Sequence, residues 1–89
     1  MRAVVTVIGH DGKGIIAKVS KECYECGANI SDITQSVLRE YFAMIMLVDI
    51  DDMSVSFSEF VDRLESLGNK NGLEIKAMHE DIFNSMHRI

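Results

Sequence analysis

The sequence predicts an α+β fold, a ferredoxin-like βαββαβ sandwich in which a four-stranded antiparallel sheet carries two helices on one face and a short helix follows at the C-terminus. Two observations predict it. Segments of β-branched or alternating apolar residues are predicted strands, and segments whose apolar residues recur at helical spacing are predicted helices. Along the chain they follow the order strand, helix, strand, strand, helix, strand, which is the split βαβ pattern. The 89 residues include no proline and are 47% apolar, enough for one core, so we expect a single domain over residues 1–89.

The first strand and the first helix are predicted from a change in the spacing of the apolar residues. Residues 3–8 form a β-branched run that ends at Gly9, as expected of a central strand covered on both faces. From Gly14 the apolar residues follow helical spacing, and Gly27 is well suited to end the helix. The helical stripe consists of Ile16, Val19, Ser20, Cys23 and Cys26.

The two middle strands indicate how the sheet is covered. Asn29–Leu38 alternates loosely, residues 39–41 turn the chain, and residues 42–50 are apolar on both sides of the pleat. Two helices on one face leave the other face without cover from the same chain. We therefore expect that face to meet another subunit in a homodimer.

The second helix is predicted to begin at a capping box, in which Ser56 and Glu59 satisfy each other's backbone amides. We expect it to end at Gly72 rather than at Gly68. Residues 73–79 then alternate as the last strand. The tail is expected to be a short docked helix with the apolar stripe Ile82, Phe83, Met86 and Ile89.

The charge balance argues against nucleic acid as a partner, and the short apolar runs argue against a membrane. The net charge is −5 and the nine Lys and Arg residues are scattered, so no basic surface is predicted to hold a phosphate backbone. No apolar run approaches the roughly 20 residues that span a bilayer, and the N-terminus lacks the layout of a signal peptide. We expect a cytoplasmic protein, and the sequence carries no cofactor motif.

Residues 9–15 are the most informative stretch for function. Gly9, Gly12 and Gly14 allow unusual backbone angles, Asp11 is suited to cap the helix start, and free amides in the first helical turn attract a carboxylate. The glycine spacing is neither the dinucleotide fingerprint nor a P-loop. A tight strand-to-helix turn without a ligand explains the same residues.

Two motifs at a set separation resemble the ACT domain: Gly9-x-Asp11-x-x-Gly14-Ile15 after the first strand, and residues 27–30, Gly-Ala-Asn-Ile, after the first helix. The ending over residues 79–89 resembles small stand-alone ACT proteins, which are similar to the ACT half of the glycine-cleavage transcriptional repressor. The resemblance implies a regulatory domain that pairs through sheets or edges and binds amino acids at subunit interfaces.

The resemblance also implies where a ligand lies: near the first strand-helix turn, with its charged ends held by backbone groups and by the asparagine that opens the second strand. A purely local role stays open for Asp11 as a cap, Gly14 in helix packing and Asn29 in a turn. The implied ligand-binding residues are Gly9, Asp11, Gly14, Ile15, Asn29 and Ile30.

No catalytic or metal site is predicted. Cys23 and Cys26 have C-x-x-C spacing but fall in the last helical turn, where the helix dipole opposes a thiolate, so packing is the preferred interpretation. His79 and His87 lie near acidic residues without any matching catalytic or zinc motif, so we interpret them as surface or interface residues.

Three functions fit the sequence to different degrees. The leading hypothesis is a non-enzymatic sensing module that binds an amino acid or similar small metabolite and signals to a separate enzyme or regulator. The alternative is a protein–protein interaction module without a ligand, which recruits a partner through its sheet face or C-terminal helix. A ferredoxin-like enzyme such as an acylphosphatase is the weakest hypothesis, because the hallmark arginine of its first loop is missing.

Overall fold

The computed structural model describes residues 1–10 and 13–86. The elements are β1 (Arg2–Gly9), α1 (Ile15–Glu25), β2 (Asn29–Leu38), β3 (Tyr41–Asp49), α2 (Phe57–Asn71), β4 (Glu74–His79) and α3 (Glu80–Met86). The four strands form one antiparallel sheet in the order β2-β3-β1-β4. The longest of these helices, α2, has 15 residues, and no helix in the described part of the chain is long and apolar enough to cross a membrane.

The hairpin between β2 and β3 is tighter than the sequence predicts. Leu38 pairs directly with Tyr41, so the turn expected over residues 39–41 is a two-residue loop. Arg39 takes a φ of 57°, the left-handed conformation that such loops require at their first position. As a result β3 begins one residue earlier than predicted, and it ends at Asp49.

The second helix begins and ends where the sequence predicts. The Ser56 hydroxyl accepts a hydrogen bond from the backbone N–H of Glu59 at 3.1 Å, which is one half of the expected capping box. The Glu59 carboxylate instead lies 3.8 Å from the Arg63 guanidinium. The helix continues through Gly68 to Gly72, whose φ of 67° ends it, so the longer of the two predicted forms is confirmed.

The core lies between the sheet and the two long helices. Strand alternation turns every second residue of β1 and β3 towards α1 and α2, where these residues are almost fully buried. Burying one large aliphatic side chain contributes roughly 1.5–3 kcal/mol. Both helices therefore cover one face of the sheet, and the predicted fold class is confirmed. The buried set includes Ala3, Val5, Val7, Met44, Met46, Val48, Val19, Cys23, Phe60 and Leu64.

The opposite side of the sheet, hereafter the open face, is covered at one end by α3. Val4 points away from α1 and α2, since Ala3 and Val5 point towards them, yet Val4 is only 3% exposed. The α3 helix contacts β1 and β4, and on the same face the Arg2 guanidinium binds the Glu80 carboxylate through two contacts, of 3.1 and 3.0 Å. The expectation of a face without cover from its own chain therefore holds only for the other end.

Only part of the apolar stripe predicted for the C-terminal helix is buried against the sheet. Phe83 is half-buried, but Ile82 and Met86 are 51% and 63% exposed. Ile89 lies outside the described residues. The α3 helix therefore docks on the sheet and still presents apolar side chains to the outside.

Candidate functional site

The residues predicted to bind a ligand fall on two segments, and the first is the turn from β1 to α1. Gly9 ends β1 and is buried, and a Cβ there would collide with the Leu73 side chain. Gly14 precedes α1 with a φ of 73° and open space around the position of a Cβ. Ile15 is buried in the core, and Asp11 lies outside the described residues. Gly9 therefore leaves room for the Leu73 side chain, and the positive φ at position 14 favours glycine there.

The N-terminus of α1 is suited to an anionic group. Its first turn contains no acidic residue, and among residues 1–10 and 13–86 no side chain caps it. Backbone N–H groups in a first helical turn lack partners within the helix and attract negative charge. The N-cap residue is Gly14, and the alternative in which Asp11 caps the helix start falls on a residue outside the described part of the chain.

The second segment is the start of β2, which a close-packed corner holds in place. Gly27 takes a φ of 77°, and a Cβ there would lie 3.1 Å from the Asp52 carbonyl oxygen. The Cys26 carbonyl accepts a hydrogen bond from the Ser54 backbone N–H at 2.9 Å. Beyond this corner Asn29 is exposed, whereas Ile30 is half-buried and packs against the core. Of these two predicted residues, only Asn29 offers a polar side chain to a ligand.

The sheet places the two segments at opposite ends. Asn29 is opposite Asp49, which is opposite Arg2 at the start of β1. Gly9 is the last residue of β1 and is opposite Phe42. Seven residue steps along a strand separate the two ends by about 23 Å, taking roughly 3.3 Å per residue. A single chain therefore does not bring Asn29 to the first turn.

Two aromatic rings, which sequence analysis did not assign to the site, lie beside the first turn. The His10 ring lies 4.8 Å from the Tyr41 ring, measured between centroids, at an interplanar angle of 46°. His10 follows Gly9 directly, and Tyr41 is 46% exposed at the hairpin end of β3. The sequence contains a signal for His10, namely its place inside the glycine turn. The position of Tyr41 depends on the hairpin register and was not visible from the sequence.

Within residues 1–10 and 13–86, the remaining candidate groups do not form a reactive cluster. Cys23 and Cys26 are fully buried free thiols, and burial raises the pKa of Cys23 to about 12, so they pack in the core as interpreted. The His79 ring stacks on Phe57 at 4.1 Å, and its buried Nδ1 has no hydrogen-bond partner among the described residues. His87 lies outside those residues. A cleft of about 630 Å³ is lined by Met1, Arg2, His79, Glu80, Asp81 and Ile82, away from the first turn.

Known proteins resemble this chain over most of its length. The family model described as the ACT domain matches residues 2–78. A UPF0237 protein from Methanopyrus kandleri is 47% identical over 88 residues, which cover 99% of this chain and 98% of the relative. The structure of an ACT domain protein from Streptococcus pneumoniae is 38% identical with a TM-score of 0.82 and covers 98% of both chains. The structure of a protein proposed to be a glycine cleavage system transcriptional repressor is 26% identical with a TM-score of 0.66, and covers 86% of this chain and 44% of that one.

Proposed function

Because the chain belongs to the ACT domain family, we propose that it is a regulatory module that binds an amino acid or a similar small metabolite at the interface of a homodimer. ACT domains are typically regulatory modules that bind small molecules. In this proposal the role is non-catalytic and cytoplasmic, and the ligand signal passes to a separate enzyme or regulator.

The observation that carries the proposal is the separation of the two candidate segments. The first turn and Asn29 lie at opposite ends of the sheet in one chain. An antiparallel second copy, paired along β2, reverses these ends, so Asn29 of the second copy lies at the end where Gly9 and Gly14 are. Across the sheet, about three strand spacings, or 15 Å, then separate β1 from the second copy's β2, whereas within a chain Asn29 and Gly9 are about 23 Å apart along the strands alone.

The two edges of the sheet differ in a way that favours pairing through β2. The β2 strand has ten residues, eight of them exposed, and its only charged residue is Asp32. The β4 strand has six residues and includes Glu74 and Lys76, which form an ion pair at 3.3 Å. Short length and charge are the usual protection of an edge strand against pairing. Of the two edges, β2 is therefore the longer and the less charged, and thus the more open to pairing.

Strand alternation selects the register of such a pair. Ile33, Gln35 and Val37 lie opposite buried residues of β3, so they face the helix side of the sheet. A two-fold axis at Gln35 sets Ile33 of each copy opposite Val37 of the other, and residues opposite each other point to the same face. Val37 is 72% exposed in the single chain. If the register of the two β2 strands were shifted by two residues in either direction, Gln35 would lie opposite one of these apolar residues.

An amino acid carries a carboxylate and an ammonium group, and the proposed homodimer interface offers a group suited to each. Its carboxylate fits the backbone N–H groups at the start of α1, which no side chain of residues 1–10 and 13–86 caps. In the proposal Asp11 supplies the negative charge for the ammonium group, and Asn29 of the second copy supplies an amide that both donates and accepts. His10 and Tyr41 adjoin the same turn and would contact the side chain of the ligand.

Thermal unfolding of the protein with each of the twenty amino acids in turn tests the proposal. A ligand at 100 times its Kd adds about 2.7 kcal/mol to the unfolding free energy, which raises Tm by roughly 10 °C or more for a domain of this size. The Asn29→Ala variant should lose the shift, whereas Asn69→Ala, an exposed site on α2, should keep it. Absence of a shift with all twenty would refute the amino-acid ligand.

Mixing two defective variants tests whether the site is shared between copies. Asp11→Ala and Asn29→Ala each damage both sites of their own homodimer. In a mixed dimer one site carries both changes and the other carries neither, so random exchange restores about a quarter of the wild-type sites. Calorimetric titration of the mixture measures this fraction. A mixture that binds no ligand, from variants that fold and dimerise, would show that each site is formed within one chain.

A further inference from the structure

The cleft of about 630 Å³ lies where the start of β1 meets the end of β4 and the start of α3. Its volume falls in the range of pockets that bind small organic molecules, roughly 300–1,000 Å³. Seven residue steps along β1, about 23 Å, separate Arg2 in this cleft from Gly9 at the first turn. The proposed pairing along β2 uses the far edge of the sheet and leaves the cleft open. The cleft is therefore a second candidate site, separate from the first.

The two cationic groups of the cleft already have carboxylate partners. The Arg2 guanidinium binds Glu80 through Nε and one terminal nitrogen, at 3.1 and 3.0 Å. The Met1 ammonium binds the Asp51 carboxylate at 2.6 Å. Asp81 is exposed, and within residues 1–10 and 13–86 it forms no hydrogen bond or ion pair. Its carboxylate is therefore the lining charge that is left for a ligand, and that charge is negative.

A buried nitrogen atom of the cleft residues also lacks a partner. His79 Nδ1 is screened from solvent and has no hydrogen-bond partner among the described residues, and no other buried side-chain nitrogen or oxygen in that part of the chain is unpaired. Buried polar atoms in proteins are nearly always hydrogen-bonded, so an unpaired one calls for an explanation. In a neutral imidazole, the ring nitrogen without a hydrogen accepts a hydrogen bond. A donor bound in the cleft would satisfy it.

The remaining lining of the cleft is aromatic and aliphatic. The His79 ring stacks on Phe57 with ring centroids 4.1 Å apart and an interplanar angle of 24°, which fixes the orientation of the imidazole. Ile82 and Met1 are 51% and 68% exposed and contribute aliphatic surface. Small-molecule pockets combine such apolar walls with a few polar groups that orient the ligand. An apolar ligand body therefore has a surface to lie on beside Asp81.

We propose that the cleft is a binding site for a small primary amine with an aromatic or apolar body. The ammonium group donates to the Asp81 carboxylate and to His79 Nδ1, and the body packs against Ile82. A hydrogen bond between charged groups is roughly twice as strong as a neutral one, so Asp81 provides most of the selectivity. A carboxylate ligand is disfavoured because it would meet Asp81 and Glu80, and Glu80 already neutralises Arg2.

Titration of the full-length protein with phenethylamine, followed by NMR, tests the assignment. Resonances of the His79 ring and the Ile82 methyl groups should shift, whereas 3-phenylpropionate, which has a carboxylate in place of the ammonium group, should leave them unchanged. Phenylalanine carries both groups and should bind here more weakly than the amine.

Two substitutions of equal charge separate a specific site from general attraction to an acidic protein. Asp81→Asn should raise the Kd for phenethylamine about tenfold or more, the effect of losing a hydrogen bond to a charged group. Asp62→Asn is the matched control, because Asp62 is an exposed residue of α2 outside the cleft, and it should leave the Kd unchanged. His79→Phe keeps a ring to stack on Phe57 but removes Nδ1, so it should weaken binding too. Circular dichroism establishes that each variant is folded.

The inference is overturned by any of three results. Phenethylamine may not shift the His79 and Ile82 resonances at all, Asp81→Asn and Asp62→Asn can change the Kd equally, or 3-phenylpropionate can bind as tightly as the amine. Amine binding in a protein that responds to none of the twenty amino acids would leave this inference standing and refute the proposed amino-acid ligand alone. An amino-acid response that depends on Asn29, without amine binding, would refute this inference alone.

Discussion

Replacement of Gly68 by alanine tests how closely α2 packs against β4. Gly68 is buried inside α2, and a Cβ there would lie 2.6 Å from the Leu73 carbonyl oxygen and 3.2 Å from Cγ1 of Ile75. The Leu73 backbone N–H also donates a 2.8 Å hydrogen bond to the Gly68 carbonyl. The methyl group therefore meets backbone rather than the end of a flexible side chain, and α2 must move away from the sheet.

The expected sign is opposite to that of helix propensity. In an exposed helix interior, glycine to alanine stabilises by about 1 kcal/mol. An added methylene group in a close-packed core costs typically 1–3 kcal/mol, and displacement of α2 also loosens the contacts of Phe60 and Leu64. We expect Gly68→Ala to lower the unfolding free energy by about 1–2 kcal/mol net, which lowers Tm by roughly 4–15 °C.

Urea unfolding monitored by circular dichroism measures the effect, at one protein concentration because the stability of the proposed dimer would depend on concentration. Asn69→Ala is the matched control on the exposed side of the same turn, where alanine should stabilise by about 0.5 kcal/mol. If Gly68→Ala stabilises as much as Asn69→Ala, the close approach of α2 to β4 is refuted.

Three further changes are expected to alter stability. Ser56→Ala removes the acceptor for the first turn of α2 and should cost about 1 kcal/mol in urea unfolding; the neighbouring Ser58→Ala should change stability by less than about 0.5 kcal/mol, and equal effects would contradict the capping role. Gly27→Ala should lower Tm more than Gly14→Ala, because both residues have a positive φ but only Gly27 is also crowded by backbone; the reverse order would be incompatible with the corner described above. Burial raises the pKa of Cys23 to about 12 from an ordinary value of 9.0, so its contribution to stability is full below pH 9 and falls as pH rises from 9 towards 12; urea midpoints between pH 8 and 11 should fall less steeply in Cys23→Ala, and parallel curves would count against this origin.

The fold was predictable because each element carries its own signal. The β-branched run of β1, the apolar spacing of α2 and its glycine stop are local features, and local features are visible in a sequence. The end of α2 at Gly72 rather than Gly68 also followed from the pattern. The hairpin loop was misjudged by one residue because its length depends on cross-strand pairing between Leu38 and Tyr41.

The candidate site was predictable only as two separate segments. The glycine turn and Asn29 are recognisable as motifs, but their separation in space depends on sheet order, which no short segment encodes. The position of α3 on the open face was missed for a related reason. Its stripe indicates that it docks, but which side of the sheet it docks on follows from the path of the chain after β4.

The unequal edges of the sheet also determine when growth by strand addition stops. A chain with two adhesive edges would continue to add copies and form an open-ended filament. In the proposed dimer, the charged, six-residue β4 edge would end the extended sheet on both flanks once two copies had joined along β2. Replacing Glu74 and Lys76 by neutral residues would remove the charges from the β4 edge. Further copies could then pair along this edge, and the protein would aggregate into fibres.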